Sequence, residues 1–174
     1  KIYHGFINAI LKNIIKDKEK LRKIKINYNS LPKWFRKNTN DLSLKQKNIF
    51  LNNFYKEPNL HLVFKKNSDL VNFKEDKFIT SSNSAFLKNF RKVVDIYSYK
   101  DGNWWVQDFS SSLPINSIDE SLLSKRNLDM CAAPGGKSFQ IMSKNKEITM
   151  NDVSKKRLQI LKTNIKRLGF NSNI

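Results

Sequence analysis

The stretch from Leu128 to Ser138, LDMCAAPGGKS, decides the fold class of this chain. It is followed at residues 148–170 by ITMNDVSKKRLQILKTNIKRLGF. Together the two segments predict a strand, a tight loop of small residues, a helix, a second strand that ends near Asp152, and another helix. This order is typical of the start of a nucleotide-binding α/β fold, in which small residues let the backbone close on a ligand. We therefore predict a cofactor site at the loop.

The loop departs from two common phosphate-binding motifs. Gly136, Lys137 and Ser138 match the end of a P-loop, but Cys131 stands where that motif has its first glycine. The dinucleotide fingerprint G-x-G-x-x-G also fails, because Gly135 and Gly136 are adjacent. The sequence therefore disfavours a nucleoside triphosphatase and an NAD-binding enzyme.

Asp152 has two interpretations. It lies about twenty residues beyond the start of the loop, which is the separation expected for a carboxylate that binds ribose hydroxyls. Alternatively, it caps the helix that begins near Ser154, because Asp is favoured at helix N-termini. The complete run of strand, loop and second strand favours the cofactor interpretation.

The same residues resemble a known family. DMCAAPGGKS and NDVSKKRLQILKTNIKRLG are similar to the S-adenosylmethionine-binding region of the RNA cytosine-C5 methyltransferases of the RsmB/NSUN family. DGNWWVQDFSSSLP, at 101–114, resembles the segment that leads into the catalytic domain of the bacterial 16S ribosomal RNA members. LPKWFRKN, at 31–38, resembles their P-x-W helix, and HGFINAILKNI, at 4–14, resembles the last helix of a NusB-like RNA-binding domain. The resemblance covers almost the whole chain and is weakest between Lys65 and Lys92.

The resemblance implies S-adenosylmethionine as the cofactor and 16S ribosomal RNA as the substrate. It places the ribose of the cofactor on Asp152 and the rest of it on the loop residues Cys131, Ala132, Ala133, Pro134, Gly135, Gly136 and Lys137. In this family a cysteine thiolate adds to C6 of cytosine, which makes C5 nucleophilic enough to accept a methyl group. The family's two cysteines lie on motifs downstream of the Asp152 strand. We therefore expect the nucleophile beyond Ile174, no catalytic residue within this sequence, and a truncated, inert fragment.

Cys131 is the only cysteine of the sequence. We expect it to be a buried or loop-packed structural thiol, because a reactive cysteine needs basic and accessible surroundings. A single cysteine also argues against a disulfide scaffold and is consistent with a reducing cytosol. His4 and His61 have no ligating neighbours at metal-site spacing, so no metal is predicted. No apolar run approaches the roughly 20 residues of a membrane span, and we expect a cytoplasmic monomer.

The net charge of the chain indicates a polyanionic partner. Thirty-three Lys and Arg stand against 15 Asp and Glu, which gives a formal charge of +18. Such a charge attracts nucleic acid and makes binding salt-dependent, although an AT-biased genome also produces lysine-rich, asparagine-rich chains. Together with the loop motif, the charge predicts RNA. Two alternatives remain: a non-catalytic basic RNA-binding module with a vestigial nucleotide fold, and a methyltransferase that acts on transfer RNA or protein.

The predicted fold class is α/β, with three regions along the chain. These are the end of a NusB-like helical domain with its linker (1–26), a helical plus RNA-recognition-like α+β subdomain (27–107), and the start of a Rossmann-like methyltransferase domain (108–174). Short runs of strand-forming residues in the middle region predict strands at 61–64, 77–80, 93–99 and 103–107. We expect both tryptophans of the last run, Trp104 and Trp105, to be buried between subdomains.

Apolar spacing predicts helices nearer the N-terminus. An amphipathic helix is expected over 6–21. Pro32 is well placed as the first residue of a second helix, in which Trp34 and Phe35 would pack inward. Asp41 is expected to cap a third helix.

Overall fold

The computed structural model describes residues 3–24, 27–54, 56, 58–89 and 92–171. The chain divides into two compact units, Lys1–Glu57 and Pro58–Ile174. Each unit has its own helices and packing. No helix in the described part is both long enough and apolar enough to span a membrane.

The described part of the first unit is helical. Its helices are α1 (His4–Lys16), α2 (Lys18–Arg22), a 3-10 helix (Tyr28–Ser30), α3 (Lys33–Asn38) and α4 (Leu44–Phe54). The helix predicted over 6–21 is therefore two helices, which meet at Asp17, where the backbone leaves the helical dihedrals (φ −93°, ψ 11°). None of the residues of α1 is buried.

Aromatic packing joins α3 to α4. The ring of Phe35 stacks on Phe50 at a centroid distance of 5.1 Å, and Phe50 packs on Phe54 at 5.5 Å. Phe35 takes the inward position, as predicted, but the prediction for Trp34 is wrong because that side chain is 66% exposed. Adjacent helical residues point in different directions, since only positions three and four apart share a face.

The start of α4 differs from the prediction that Asp41 caps it. Ser43 holds this position: its backbone N–H donates to Gln46 Oε1 (2.8 Å), and the N–H of Gln46 donates to Ser43 Oγ (3.3 Å). This reciprocal pair is a capping box, which satisfies two donors at once where an aspartate satisfies one. Pro32 immediately precedes α3 as its N-cap residue.

The second unit begins with an antiparallel sheet. Its elements are β1 (His61–Phe64), α5 (Asn67–Val71), β2 (Lys77–Ser81), β3 (Ser84–Leu87), a 3-10 helix (Val93–Asp95) and β4 (Trp104–Val106). Among the described residues these strands form a four-stranded sheet in the order β2-β3-β1-β4. The strands predicted at 61–64, 77–80 and 103–107 are confirmed, and β3 was missed.

The prediction of a strand over 93–99 is wrong. Residues Val93–Asp95 form a 3-10 helix, closed by the N–H of Ile96, which donates to the Val93 carbonyl (3.3 Å). The Tyr97 carbonyl accepts from the indole N–H of Trp104 (3.0 Å), so a side chain takes this acceptor in place of a neighbouring strand. Tertiary packing overrides the β propensity of this run.

Strand β1 and the two tryptophans of β4 are buried on both faces of the sheet. Leu62, Phe64 and Trp104 belong to one apolar cluster, whereas Val63 and Trp105 belong to a second cluster that also contains Phe139. Successive strand residues point to opposite faces, so the two adjacent tryptophans enter different clusters. Their predicted burial is confirmed, at 0% and 2% exposure.

The second half of this unit is a parallel α/β arrangement. Its elements are α6 (Phe109–Ser117), a 3-10 helix (Glu120–Leu122), β5 (Arg126–Asp129), α7 (Gly136–Ser143), β6 (Glu147–Met150) and α8 (Lys155–Leu168). Strands β5 and β6 pair in parallel, which requires the crossover that α7 supplies. The predicted order of strand, loop, helix, strand and helix is confirmed, as is the mixed α/β class. The NusB-like and RNA-recognition-like subdomains and the boundaries after 26 and 107 stay predictions.

Candidate functional site

The predicted cofactor loop lies between β5 and α7, at the carboxyl end of the parallel strands. This is where open α/β sheets bind their ligands. Asp129, the last residue of β5, accepts a hydrogen bond from the Cys131 N–H (3.1 Å) and another from the Ser138 hydroxyl (2.7 Å). One carboxylate therefore ties the entry of the loop to the first turn of α7.

Asp152 supports the same loop from the end of β6. Its Oδ2 accepts from the Ala133 N–H (3.2 Å), and its Oδ1 accepts from the Ser154 N–H (3.0 Å). The residue is 5% exposed. Ser154, rather than Asp152, is the N-cap of α8, because its side chain accepts from the Arg157 N–H. Asp152 thus joins the loop to the start of α8, and its predicted contact with a ribose stays a prediction.

Side chains of α8 hold the carbonyl groups of the loop. The Arg157 guanidinium donates to the Ala133 carbonyl and lies 3.4 Å from Asp152 Oδ2. Asn164 Nδ2 donates to the Pro134 carbonyl at 3.0 Å. The peptide bond between Ala133 and Pro134 is cis. The helix thus satisfies two loop carbonyls that small side chains leave uncovered.

A cavity of about 240 Å³ opens over the loop. It is lined by Val106, Gln107, Asp108, Ser111, Asp129, Cys131, Ala132, Ala133, Pro134, Gly136 and Lys137. All the predicted loop residues except Gly135 take part, and Asp152 does not. Gly135 is buried instead, at a φ of +121°, where a Cβ would overlap the ring of Phe139. The structure therefore brings most of the predicted site to one surface, with Gly135 and Asp152 behind it.

Cys131 differs from the expectation of a buried or loop-packed thiol. It is exposed and lines the cavity. The prediction of burial is wrong: the Cys131 N–H donates to Asp129, while the side chain remains exposed.

The opposite wall of the cavity comes from residues that the sequence prediction missed. Gln107 and Asp108 end the β4 segment, and Ser111 lies in the first turn of α6. Asp108 accepts from the Ser110 hydroxyl and from the Ser111 N–H, and these two hydrogen bonds hold the pKa of its carboxyl below the usual value. Lys137 Nζ donates to Ser111 Oγ at 3.3 Å across the cavity. The signal for this wall was the WVQDFSS run, which the family resemblance included without assigning it a role.

The N-terminus of α7 adds a positive potential to the cavity. The first-turn N–H groups of a helix have no acceptor within the helix, and they carry the positive end of its dipole. Gly136 and Lys137 belong to this turn and line the cavity. The site therefore combines the anion-attracting amides of α7 with the carboxylates of Asp108 and Asp129 around one cavity. Nowhere in the described ranges do three or more His, Cys, Asp or Glu residues form a group that could hold a metal ion.

Comparisons with known proteins find a family and several relatives. Residues 121–174 match the family model described as 16S rRNA methyltransferase RsmB/F. A ribosomal RNA small subunit methyltransferase B of Vibrio vulnificus is 27% identical over 98% of this chain and 43% of its own length. The human 28S rRNA (cytosine(4447)-C(5))-methyltransferase is 37% identical over 44% of this chain and 10% of its own length. The resemblance to the RsmB/NSUN family is confirmed.

These relatives are much longer than this chain. The chain covers 10% of the human relative and 16% of a ribosomal RNA small subunit methyltransferase F of Erwinia tasmaniensis, with which it is 35% identical over 41% of its own length. A solved structure of a methyltransferase homologue from Pyrococcus horikoshii matches with a TM-score of 0.68 at 22% identity, over 83% of this chain and 52% of that one. The latter likeness supports the mixed α/β fold.

Proposed function

We propose that this chain is part of an S-adenosylmethionine-dependent methyltransferase that modifies C5 of a cytosine in 16S ribosomal RNA. The observation that carries the proposal is the loop between β5 and α7. Its sequence lies within the part that matches the RsmB/F family model, and its small residues line a cavity at the carboxyl end of a parallel strand pair.

The residues of this site fit S-adenosylmethionine. The short side chains of Ala132 and Ala133 line the cavity without filling it, and the first-turn amides of α7 suit the carboxylate of a methionine moiety. The Asp152 carboxylate accepts two N–H bonds in the structure, and an ionised carboxylate offers about four lone-pair sites. It therefore retains acceptor capacity, which we propose the ribose hydroxyls use.

The contribution of this chain to the reaction is binding and orientation. When bound, S-adenosylmethionine supplies the methyl group. Asp129 ties the start of the loop to α7, Asp152 holds the loop at Ala133, and the helix α7 presents its amides to the cavity. The proposed nucleophile is a family cysteine that adds to C6 of a flipped cytosine. Cys131 is not assigned that role, because it lies in the loop on which the cofactor would rest.

RNA is the proposed partner because the chain carries a formal charge of +18. Base stacking on the two tryptophans of β4 is closed to it, since both rings are buried in the apolar clusters. We propose that the target base approaches through the cavity side of the loop, where Lys137 is exposed. The basic RNA-binding module without a cofactor differs from this proposal in one measurable property, because it would bind RNA and no S-adenosylmethionine.

The first experiment is a calorimetric titration of S-adenosylmethionine into the full-length product of the gene. Wild-type protein is compared with Asp152→Ala and with a charge-matched control, Asp95→Ala, whose carboxylate is exposed in another part of the unit. We expect saturable binding by the wild type and the control. Binding should weaken by about 10- to 100-fold in Asp152→Ala, the equivalent of one hydrogen bond to a charged group.

The outcomes separate the parts of the proposal. No binding by a folded wild-type protein would overturn the methyltransferase function and leave the basic RNA-binding module. Unchanged binding by Asp152→Ala would remove the ribose role of that residue alone. Binding followed by appearance of 5-methylcytosine in 16S ribosomal RNA, rather than in transfer RNA or protein, would establish the substrate.

A further inference from the structure

A chain of buried amide groups lies directly beneath the cavity. The indole N–H of Trp105 donates to Gln107 Oε1 (2.9 Å), and Gln107 Nε2 donates to Gln140 Oε1 (2.7 Å). Gln140 Nε2 then donates to the Ser112 carbonyl (3.0 Å) and to Asn116 Oδ1 (2.9 Å). Gln107 is 5% exposed and Gln140 is 2% exposed. These hydrogen bonds thus connect β4, α7 and α6 through the interior of one compact unit.

The donor and acceptor groups of these side chains allow the hydrogen bonds to run in one direction only. An indole N–H only donates, so it faces the oxygen of the Gln107 amide, and the nitrogen of that amide must then face the oxygen of Gln140. The Gln140 nitrogen ends the chain on two acceptors. Rotating either amide by half a turn would place donor against donor in a buried site, which costs about 1–3 kcal/mol per unsatisfied group. Both side chains therefore hold one orientation.

The orientation matters because Gln107 contacts the cofactor loop. A Cβ on Gly136 would lie 3.2 Å from both Cγ and Cδ of Gln107, so the Gln107 side chain packs against the first residue of α7. Gln140 lies one turn further along the same helix. The two amides thus fix the near end of α7 from two points, against β4 on one side and α6 on the other.

We propose that Gln107 and Gln140 are positioning residues that hold Gly136 and the first turn of α7 in the geometry that binds S-adenosylmethionine. This inference rests on the proposed function and assigns a role to two residues outside the loop motif. Neither amide is proposed to contact the reacting atoms. Their effect passes through the backbone of Gly136, which lines the cavity beside Gln107.

The test uses Gln107→Met, Gln140→Met and the double variant in the full-length protein. Methionine keeps the length of the side chain and removes the amide. The first measurement needs no ligand: amide hydrogen exchange at Phe139, whose N–H donates to the Gly135 carbonyl (2.8 Å), compared with exchange at Leu161 inside α8. We expect each single variant to speed exchange at Phe139 by about tenfold, the effect of one lost hydrogen bond, with a smaller effect at Leu161.

A matched control distinguishes positioning from general destabilisation. Leu70→Ala removes a buried side chain from the apolar cluster on the other face of the sheet, away from both amides. It should speed exchange at Phe139 and Leu161 by the same factor. The second measurement is the Kd for S-adenosylmethionine, which should rise about tenfold in each glutamine variant. The Kd of the double variant should be no higher than that of the more affected single variant, because the loss of one amide already interrupts the connected hydrogen bonds.

The results separate this inference from the function on which it rests. Equal acceleration at Phe139 and Leu161 in the glutamine variants, as in the control, would overturn the positioning role. Selective acceleration at Phe139 in the glutamine variants, combined with no S-adenosylmethionine binding by the wild-type protein, would keep the structural role and overturn the proposed function. A selective effect with unchanged Kd would overturn the link between the amides and the cofactor.

Discussion

Gly102→Ala should destabilise the second unit far more than its backbone conformation alone predicts. Gly102 has a φ of +69°, and a Cβ at this position would overlap the Arg167 carbonyl oxygen and lie 3.0 Å from Leu168 Cα. Gly169 has nearly the same dihedral, φ +63°, but a Cβ there would meet nothing within 4 Å. The two glycines therefore separate conformational strain from steric contact.

The magnitude follows from what the clash would displace. Arg167 donates to the Tyr99 carbonyl (2.9 Å) and to the Trp104 carbonyl (3.0 Å), and its guanidinium lies 4.4 Å from the centre of the Tyr99 ring. Left-handed dihedrals cost alanine about 1–2 kcal/mol. Moving the end of α8 would also break at least one hydrogen bond to a charged group, which adds about 1.5–3 kcal/mol. We expect a loss of about 3–5 kcal/mol for Gly102→Ala and about 1–2 kcal/mol for Gly169→Ala.

Urea denaturation of the two variants and the wild type measures this difference. The slope of unfolding free energy against denaturant should stay constant, so that midpoints report stability. Equal losses in the two variants would refute the reasoning, because they would show that the end of α8 moves away from Gly102 at no cost. Removing the guanidinium as well, in Gly102→Ala/Arg167→Ala, should add less than Arg167→Ala costs alone.

Two further predictions concern a buried histidine and the exposed cysteine. Burial lowers the pKa of His61 below 6.5 despite the Gln107 carbonyl that accepts from its ring, so the unfolded chain takes up a proton first as the pH falls. The contribution of His61 to the unfolding free energy should therefore be constant above pH 6.5 and fall below pH 6.5. Urea titrations at several pH values should show this decrease in the wild type and not in His61→Gln. An identical pH dependence in both proteins would contradict the prediction. Because Cys131 is exposed at the cavity, iodoacetamide should label it in the free protein, and saturating S-adenosylmethionine should slow labelling at least tenfold. Mass spectrometry measures the labelling rate, with Cys131→Ser as the unlabelled control. An equal rate with and without S-adenosylmethionine would place the ligand elsewhere.

The positions of the two tryptophans limit how this unit can contact RNA. Trp104 packs with Phe73 at 6.2 Å and Trp105 packs with Phe139 at 5.7 Å, both edge to face. Neither ring is free to stack on a base. The strand that carries them instead anchors the sheet to α7, so the residues after it, Gln107 and Asp108, reach the cofactor loop.

The sequence predicted those helices and strands whose residues all favour the same local conformation. A short run of strand-forming residues predicted β1, and the small-residue loop between two strands predicted the β5–α7–β6 arrangement. It failed where local preference was weak. The run at 93–99 has strand-forming side chains, yet the Trp104 indole and the packing of Ile96 in the apolar cluster favour a 3-10 turn there. Asp41 was the predicted cap of α4, but the reciprocal hydrogen bonds between Ser43 and Gln46 place the cap at Ser43.

The sequence by itself also predicted the β5–α7 loop, because the loop residues are consecutive and their small size is a local property. Only the tertiary structure decided what surrounds the loop. Gln107 and Asp108 precede it by more than twenty positions, and Gln140 points away from it into the interior. Their meeting depends on the antiparallel register of β4 on β1 and on the packing of Trp105 against Phe139. No local pattern encodes such contacts, because they form only when separate segments bury their apolar faces together.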